Sequence, residues 1–560
     1  MKFKDMPYKR PDLEAIKAKY ASLTARFPKA ATAQEQYAMI LEHEKLSDAF
    51  DTMATIAEIR QSINTTDSFY KTEVAFFDEN IPIVNNYQQD FYRVLVKTKF
   101  RAELEQKTGA IFFQNIEIAL RSFSPAVIDL CQRENALTTE YENLLASAKI
   151  EFQGGVYNLS EMQKFTIGQD RTVRKAAWEK IAGFFTEHSV RLDEIYDELV
   201  KNRTEQAHRL GYKNYVQLGY DRLGRNCYGP DEIAAFRKLV VRDVVPVVSR
   251  LKAGQAKRLG LDRLLFWDDS CLYPDGNPKP TGDRDALVDA AQKMYREMSP
   301  QTGAFFDFMK ENELFDLESK KGKAGGGYCT SIPDYKSPFI FANFNGTAGD
   351  VDVLTHEAGH AFADYTARTN PLSELRCPTM DGAETHSMSM ELFSRPWDAL
   401  FFGDAAERFR DYQLETALDF IPYGTLVDHF QTEMYEHPEF TPDERRAKWL
   451  ELEHLYRPWI DFGELPYFCT GGGYQRQHHI YSNPLYYIDY CLAQTTAFEF
   501  WMASEKDWQK AFSRYLTFVQ AGGTKTYLEL CALGGLDSPF QDGTLKTVAQ
   551  AVETHLNKER

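Results

Sequence analysis

The most informative stretch of this chain reads Val351-Asp-Val-Leu-Thr-His-Glu-Ala-Gly-His-Ala-Phe-Ala-Asp-Tyr365. Inside it, His356, Glu357 and His360 form an H-E-x-x-H pattern, and the surrounding apolar residues recur at helical intervals. Residues four apart stack on one face of a helix, so both imidazoles can converge on one zinc ion. Glu357 projects slightly round the helix, where it can reach a water molecule at the metal. The pattern therefore predicts a zinc site suited to metal-assisted hydrolysis of an amide.

A buried helix that carries these residues by chance is the alternative. Gly359 argues against it, because glycine inside a helix costs about 1 kcal/mol relative to alanine. That loss makes sense where another element packs closely against the metal-binding helix. Thr355 and the H-E-x-x-H residues also place polar groups in an apolar run, which is costly unless they have partners. We therefore favour the metal site.

A catalytic zinc ion typically has three protein ligands and keeps a fourth position open. The acidic residues downstream are the candidates for the third ligand: Asp364, Glu374, Asp381, Glu384 and Glu391. Asp364 follows His360 by one helical turn and can serve only as an outer partner of an imidazole. Glu374 lies in a predicted loop bounded by prolines.

A second helix is predicted at about 381–395. Asp381 is a good N-cap, and Glu384 stands in the capping-box position three residues later. Capping is therefore the alternative role for Glu384, and a solvated helix face is the alternative for Glu391. The two glutamates are seven apart and face the same side, so one can ligate zinc while the other orients a histidine. We favour Glu384 as the ligand.

The two motifs together resemble those of the thimet oligopeptidase and oligoendopeptidase F family of zinc metallopeptidases. The second motif reads Glu384-x-x-Ser-Met-x-Met-Glu391, and the segment Gln475–Tyr490 is most similar to the Pz-peptidase branch of that family. The resemblance covers about residues 150–550 and is strongest across 325–495. It implies that Glu384 is the third ligand and that Ser337–Thr347 is an edge strand for substrate. It also implies a two-lobed helical molecule with a deep cleft.

Hydrogen-bond donors for a developing oxyanion are expected in the aromatic stretch His478-His-Ile-Tyr-Ser-Asn-Pro-Leu-Tyr-Tyr-Ile-Asp-Tyr490. Tyrosines in such a stretch are often core residues whose hydroxyls already have partners. The family has one histidine and two tyrosines in the matching region. The resemblance implies Tyr490, with Tyr487 as a second donor, and His479 in preference to His478.

Composition limits the possible partners. Lys and Arg total 65 against 82 Asp and Glu in 560 residues, a net charge of −17, which argues against nucleic acid or an anionic membrane as partner. The segment Met1–Arg10 lacks the apolar core of a signal peptide, and no apolar run approaches 18 residues. Eight scattered cysteines without a C-x-x-C pair predict buried, reduced thiols. We expect a soluble cytoplasmic protein.

The apolar periodicity predicts a mainly α-helical chain, with helices such as 34–60 and 91–107. Residues 1–150 are expected to form an N-terminal lobe that walls the cleft, and residues 151–560 the catalytic lobe. Strand signals are confined to about 325–347, just before a zinc-binding helix at about 350–366. Residues 262–283 are predicted to form a loop or short hairpin. Two glycine-rich stretches, 321–328 and 470–475, are predicted to be flexible loops bordering a cleft.

The leading hypothesis is a cytoplasmic zinc oligoendopeptidase that binds one Zn²⁺ and cleaves short unstructured peptides, with Glu357 as general base. A zinc carboxypeptidase is the alternative among enzymes, and it would need a cation such as Arg476 or Arg457 to hold the substrate carboxylate. A catalytically silent peptide-binding scaffold is the alternative from another class. The presence of Glu357 argues against the scaffold, because binding alone needs no base.

Overall fold

The computed structural model describes residues 1–558, and helices dominate it, which confirms the expected mainly helical fold. Within those residues, no helix is both long enough and apolar enough to cross a membrane. The first six helices are α1 (Leu13–Arg26), α2 (Ala33–Ile63), α3 (Ser68–Leu95), α4 (Arg101–Thr108), α5 (Ala110–Ser122) and α6 (Ile128–Ala146). The helix predicted at 91–107 is therefore wrong, because the chain leaves the helix between α3 and α4.

The middle of the chain begins with a short hairpin, β1 (Ile150–Phe152) and β2 (Gly155–Tyr157), that the sequence did not predict. Residues 262–283 form a loop with one short 3₁₀ turn and contain no hairpin. The helices of this region are α7 (Leu159–Thr166), α8 (Arg171–Arg209), α9 (Tyr215–Arg222), α10 (Pro230–Leu239), α11 (Val245–Arg258), α12 (Arg284–Met298) and α13 (Pro300–Glu311).

A three-stranded sheet precedes the H-E-x-x-H segment. It consists of β3 (Phe315–Glu318), β4 (Tyr328–Ile332) and β5 (Ser337–Phe344), in the order β3-β5-β4. Strand β5 pairs parallel to β3 and antiparallel to β4, and its first six residues are buried. The expectation that Ser337–Thr347 forms an edge strand is therefore wrong. The strand with a free edge along the cleft is β4.

The last part of the chain is helical again. Its elements are α14 (Gly349–Ala367), α15 (Met380–Phe393), α16 (Ala399–Phe402), α17 (Ala406–Glu436), α18 (Pro442–Tyr456), α19 (His478–Ser482), α20 (Ile488–Ser504), α21 (Trp508–Ala521), α22 (Tyr527–Gly534) and α23 (Thr544–Lys558). The main hydrophobic core is built from residues along the whole chain, the first being Phe3 and the last Leu556. A second core lies among α1–α5 and takes in Leu372 and Leu375 from the loop between α14 and α15.

Helix α14 lies against β5 and β4 and packs along α15, which in turn packs along α20. Gly359 lies at the α14–α15 contact. A β-carbon there would come within 2.6 Å of Ser387 Cα and 2.8 Å of the His386 carbonyl oxygen. The glycine is therefore needed for the close approach of the two helices, as its helix-breaking cost suggested.

All eight cysteines are free thiols. Cys271, Cys491 and Cys531 are buried, but Cys377 and Cys469 are exposed, so the expectation of buried thiols is wrong for these two.

The glycine-rich stretch 470–475, which was expected to be a flexible loop, is packed against its neighbours. A β-carbon on Gly471 would lie 2.2 Å from the carbonyl oxygen of Arg446.

Candidate metal centre and active-site cleft

Helices α14 and α15 bring three potential metal ligands together. Glu384 Oε2 lies 3.2 Å from His356 Nε2 and 3.1 Å from His360 Nε2. Tetrahedral coordination by nitrogen and oxygen at about 2.0–2.1 Å requires roughly 3.3 Å between ligand atoms. The three side chains therefore fit a zinc ion without a change in backbone position. Burial alone would raise the pKa of Glu384, but the two histidines hold it well below its usual value.

Hydrogen bonds from outside the cluster orient two of these ligands. His356 Nδ1 lies 2.6 Å from Glu391 Oε1, so the ring donates from Nδ1 and turns Nε2 towards the cluster. The hydroxyl of Tyr486 donates to Glu384 Oε1, which leaves Oε2 for the metal. Tyr486 was not among the residues predicted from the sequence. Its position next to Tyr487 was the available signal, but periodicity does not say which of two adjacent tyrosines faces α15.

The other acidic residues near the pattern do not join the cluster. Helix α15 begins at Met380 with Thr379 as N-cap, so the prediction of Asp381 as the cap is wrong. Asp381 is buried and accepts hydrogen bonds from Tyr228 and Thr379. Glu374 accepts a hydrogen bond from Tyr92 of the N-terminal helices. Asp364 lies in the cleft wall beside Ser331, and burial raises its pKa to about 6.

Glu357 lies beside the start of strand β4. Its side chain lines the cleft, and its Oε1 lies 3.6 Å from the position that a β-carbon on Gly327 would occupy. Burial raises the pKa of Glu357 above its usual value, and the two histidines act in the opposite direction. A raised carboxyl pKa brings a group closer to the range of an effective general base at neutral pH.

A chain of hydrogen bonds leads from α17 to the mouth of the metal cluster. The Tyr423 hydroxyl donates to Gln477 Oε1 at 2.7 Å, and Gln477 Nε2 lies 3.0 Å from His479 Nδ1. His479 Nε2 lies 3.2 Å from the Tyr490 hydroxyl. Burial lowers the pKa of His479 to about 3, so the ring is neutral. With Gln477 donating to Nδ1, the ring proton is on Nε2 and points to Tyr490.

The remaining aromatic candidates lie elsewhere. His478 pairs with Glu142 at the cleft wall, with 3.2 Å between its Nε2 and Glu142 Oε1. The Tyr487 ring packs on His479 at a centroid distance of 4.8 Å, but its hydroxyl interacts with Gln477 and not with a metal-ligand candidate. Tyr481 is a core residue, stacked on Tyr141 with its hydroxyl donating to the Leu192 carbonyl. Of the two adjacent tyrosines, Tyr486 therefore reaches the metal ligands and Tyr487 does not.

The cluster lines a cleft of about 1290 Å³. Strand β4 and the glycines before it form part of one wall, and the N-terminal helices contribute Ser62 and Glu142 to the lining. Gly325 and Gly326 line the cleft as the sequence predicted for the stretch 321–328. The second glycine-rich stretch, 470–475, leads into Arg476 at the cleft wall.

Comparisons with known proteins agree with this architecture. A model described as Peptidase M3 N-terminal domain matches residues 3–123, and one described as Peptidase family M3 matches residues 305–550. Oligopeptidase PepF of Bacillus subtilis (strain 168) is 22% identical, over 94% of this chain and 81% of that protein.

Solved structures give higher similarity. A structure titled PZ peptidase A with inhibitor 2 superposes with a TM-score of 0.98 at 47% identity, covering 100% of this chain and 99% of the other. A putative oligoendopeptidase F from Bacillus anthracis str. Ames superposes with a TM-score of 0.93 at 43% identity, covering 100% and 98%. The chain therefore belongs to peptidase family M3.

Proposed function

We propose that this peptidase is a zinc-dependent oligoendopeptidase that hydrolyses internal bonds of short unstructured peptides, with Glu357 as general base. The convergence of His356, His360 and Glu384 beside Glu357, inside a cleft, is the observation that carries the proposal. When bound by those three side chains, zinc supplies a Lewis acid for the scissile carbonyl and lowers the pKa of the attacking water. The names of the matched relatives, oligopeptidase and oligoendopeptidase, support a peptide substrate.

The side chains around the cluster have separate tasks in this proposal. Glu357 takes a proton from the attacking water and passes it to the leaving amine. Tyr490 donates its hydroxyl proton to the developing oxyanion, while His479 donates to the Tyr490 oxygen and so holds that hydroxyl in position. Glu391 keeps His356 in the tautomer whose Nε2 is free for the metal.

Strand β4 supplies the binding surface for an extended substrate. Only its β5 side is paired within the sheet, and Tyr328 to Ser331 line the cleft beside Glu357. An extended peptide can add to this edge through main-chain hydrogen bonds, which recognise any sequence. The polar, half-buried residues Cys329, Thr330 and Ser331 suit such an edge.

Substrate length is limited in this proposal by the helices that line the cleft. We propose residues 1–150 as the N-terminal lobe and residues 151–560 as the catalytic lobe. The cleft lining draws on both segments, including Ser62 and Glu142 from the first. A folded protein would have to unfold locally to bring an extended segment to Glu357, and that unfolding is costly.

Digestion of a mixture of unstructured peptides, read by mass spectrometry, tests the proposal. We expect internal cleavage of peptides of roughly five to twenty residues, slow cleavage of denatured casein and hardly any cleavage of native proteins. A ladder of products shortened by one residue at a time from the C-terminus would instead identify a carboxypeptidase. Bound zinc without hydrolysis of any peptide would identify a silent scaffold.

A further inference from the structure

Arg476 is a cation on the wall of the cleft. It ends the 3₁₀ turn Gly472–Arg476, directly before Gln477 and α19, and its side chain is exposed. Its guanidinium carbon lies 5.1 Å from the ring centroid of Trp178 and 5.9 Å from that of Phe468. Contact with two aromatic rings stabilises the cation and restricts the side chain.

The other two arginines of the cleft lining are already paired with carboxylates. Arg457 lies 3.0 Å from Asp269 and 3.2 Å from Glu453, and Arg376 lies 2.7 Å from Asp48. Arg476 differs, because no carboxylate of residues 1–558 lies within ion-pair distance of its guanidinium. Its side chain interacts with the Tyr423 hydroxyl and, at longer range, with the Glu453 carboxylate that is already paired with Arg457. A guanidinium has five N–H donors, so Arg476 has donors left for a ligand in the cleft.

The surroundings make an unpaired cation unusual. The chain carries a net charge of −17, and the cleft lining includes carboxylates of Glu142, Asp352, Asp364 and Asp419 besides the metal-site glutamates. Such a cleft repels anionic ligands except where a cation is provided. The planar fork of arginine fits a carboxylate through two parallel hydrogen bonds. Every unmodified peptide carries one carboxylate that does not depend on its sequence, at its C-terminus.

Arg476 stands a short distance from the proposed oxyanion donor. The ring centroids of Tyr423 and Tyr487 are 6.1 Å apart, and those of Tyr487 and Tyr490 are 5.3 Å apart. A path through these ring contacts therefore leads from Tyr423, which interacts with Arg476, through Tyr487 to Tyr490. An extended peptide advances about 3.3 Å per residue, so this path corresponds to at most roughly three to four residues.

We propose that Arg476 binds the α-carboxylate of the peptide substrate and so fixes the cleaved bond a few residues before the C-terminus. The inference rests on the proposed endopeptidase function and adds a reason for the preference for short peptides. The anchor lies several residues from the metal, so the released C-terminal fragment is a short peptide and not a single amino acid.

Binding and turnover test the inference separately. Binding is measured by calorimetry on zinc-loaded Glu357→Gln protein, with one peptide prepared as the free acid and as the C-terminal amide. The free acid is expected to bind roughly 10–100-fold more tightly, the range for a hydrogen bond to a charged group. Glu357→Gln/Arg476→Gln should bind both forms equally, and Arg476→Lys should restore part of the difference. Arg263→Gln, an exposed arginine paired with Asp461 outside the cleft lining, is the control and should keep the full difference.

Product analysis then tests the fixed distance. With otherwise wild-type protein, residues added at the N-terminus of a peptide should leave the cleaved bond unchanged, whereas residues added at the C-terminus should move it. A C-terminal amide that ends in Asp or Glu distinguishes a side-chain carboxylate from the α-carboxylate, and it should bind like the plain amide. Equal binding of acid and amide to Glu357→Gln protein would overturn the inference even if the wild-type enzyme cleaves both. Absence of turnover with the binding difference intact would overturn only the proposed function.

Discussion

His356 is held from both sides, by Glu391 at Nδ1 and by Glu384 at Nε2. Glu391 accepts a hydrogen bond from Nδ1 of the ring. Glu384 is the neighbouring ligand candidate at Nε2 in the proposed metal site. Sequence spacing placed both glutamates on the ligand-facing side of the helix, because residues seven apart share a face. Because Glu384 lies in the ligand cluster and Glu391 contacts only the other ring nitrogen of His356, we expect substitutions of the two glutamates to affect metal binding differently.

Metal content separates the two glutamates. Glu384→Ala should abolish stoichiometric zinc binding, because it removes one of three ligands. Glu391→Ala should weaken zinc binding by about 10–100-fold, the usual effect of losing a partner of a ligating histidine. Zinc affinity measured by chelator competition checks both values. Glu391→Gln is the matched control and should stay near wild type, because its amide oxygen can still accept from His356. The reverse order of effects would mean that Glu391 is the third ligand.

The assignment of Glu357 rests on proton transfer rather than on metal binding. Glu357→Gln should retain one zinc per chain and lose about 10²–10⁴-fold in kcat, because the amide keeps the shape of the side chain but cannot accept the proton. Metal analysis and peptide hydrolysis on the same preparation check both statements. A loss smaller than about tenfold would assign the base to another group.

Tyr486 and Tyr490 should differ in what their hydroxyls support. Tyr486→Phe removes the hydrogen bond to Glu384, so we expect zinc affinity to fall by about 10–100-fold. Tyr490→Phe should leave zinc affinity unchanged and lower kcat by about 10²–10³-fold, as expected for one oxyanion donor. Tyr487→Phe is the control, because its hydroxyl interacts with Gln477. Equal effects of the first two variants on metal binding would contradict this division.

The metal ligands could be predicted from the sequence, but the roles of the individual tyrosines could not. A helical pair of histidines with a glutamate carries its geometry in its spacing, so the ligand-bearing segment was predictable from residues alone. The aromatic segment after α18 folds as a short helix, a tight turn at Leu485 with φ 64°, and the start of α20. A turn of that kind resets the direction of the following side chains, so spacing could not select Tyr486 over Tyr487.

At the level of helices and strands, Gly359 has the most specific role. An alanine there would collide with backbone atoms of α15, which cannot rotate away as a side-chain end could. Gly359→Ala should therefore lower the free energy of unfolding by about 2 kcal/mol or more and loosen the ligand geometry. Urea denaturation checks the first effect and zinc affinity the second. Gly183→Ala in α8 is the matched control, since no atom lies within 4 Å of its β-carbon. That change should stabilise slightly, by about 0.5–1 kcal/mol.

The sheet shows why one expectation about an element was wrong. Ser337 to Ala342 are all buried, and a continuous apolar run of this kind is typical of a strand covered on both sides. The polar segment Cys329-Thr-Ser331 is the better edge, because its residues are only partly buried and line the cleft. The family resemblance indicated which segment of the chain lies near the substrate. Which strand lies at the edge of a sheet depends on pairing between segments that are far apart in the chain.

At the scale of the whole molecule, α2 of the N-terminal helices holds the loop between the two ligand-bearing helices. Glu44 accepts the Ser373 N–H at 2.7 Å, and Asp48 pairs with Arg376 at 2.7 Å. Glu44 is buried next to Glu374, and burial, together with the charge of Glu374, raises the pKa of Glu44 well above its usual value. Burial and the neighbouring Glu374 therefore favour a protonated Glu44, and the hydrogen bond from Ser373 only partly offsets them.

The raised pKa of the buried Glu44 carboxyl predicts how the stability of the protein depends on pH. The folded-state pKa of Glu44 exceeds its unfolded value near 4.5, so its stabilising contribution is complete below that value and is lost as pH rises through the folded pKa. Glu44→Gln should therefore be more stable than wild type at pH 8, by about 1 kcal/mol or more, and the difference should shrink towards pH 5. Urea denaturation across this range provides the check. Glu42→Gln, in the same helix and half-exposed, should show no such trend. A constant difference at all pH values would mean that Glu44 is ionised in the folded protein.

The packing of α15 along α20 has a consequence for the order in which the protein is made. The two histidines and Glu384 leave the ribosome before Tyr486 and Tyr490, and before the helix that covers α15. At a synthesis rate of about 5–20 residues per second, the interval between residues 384 and 490 lasts roughly 5–20 s. During that time the nascent chain has its metal ligands but neither its proposed oxyanion donor nor a complete wall. The complete active site therefore forms only after α20 has been synthesised, well after the metal ligands.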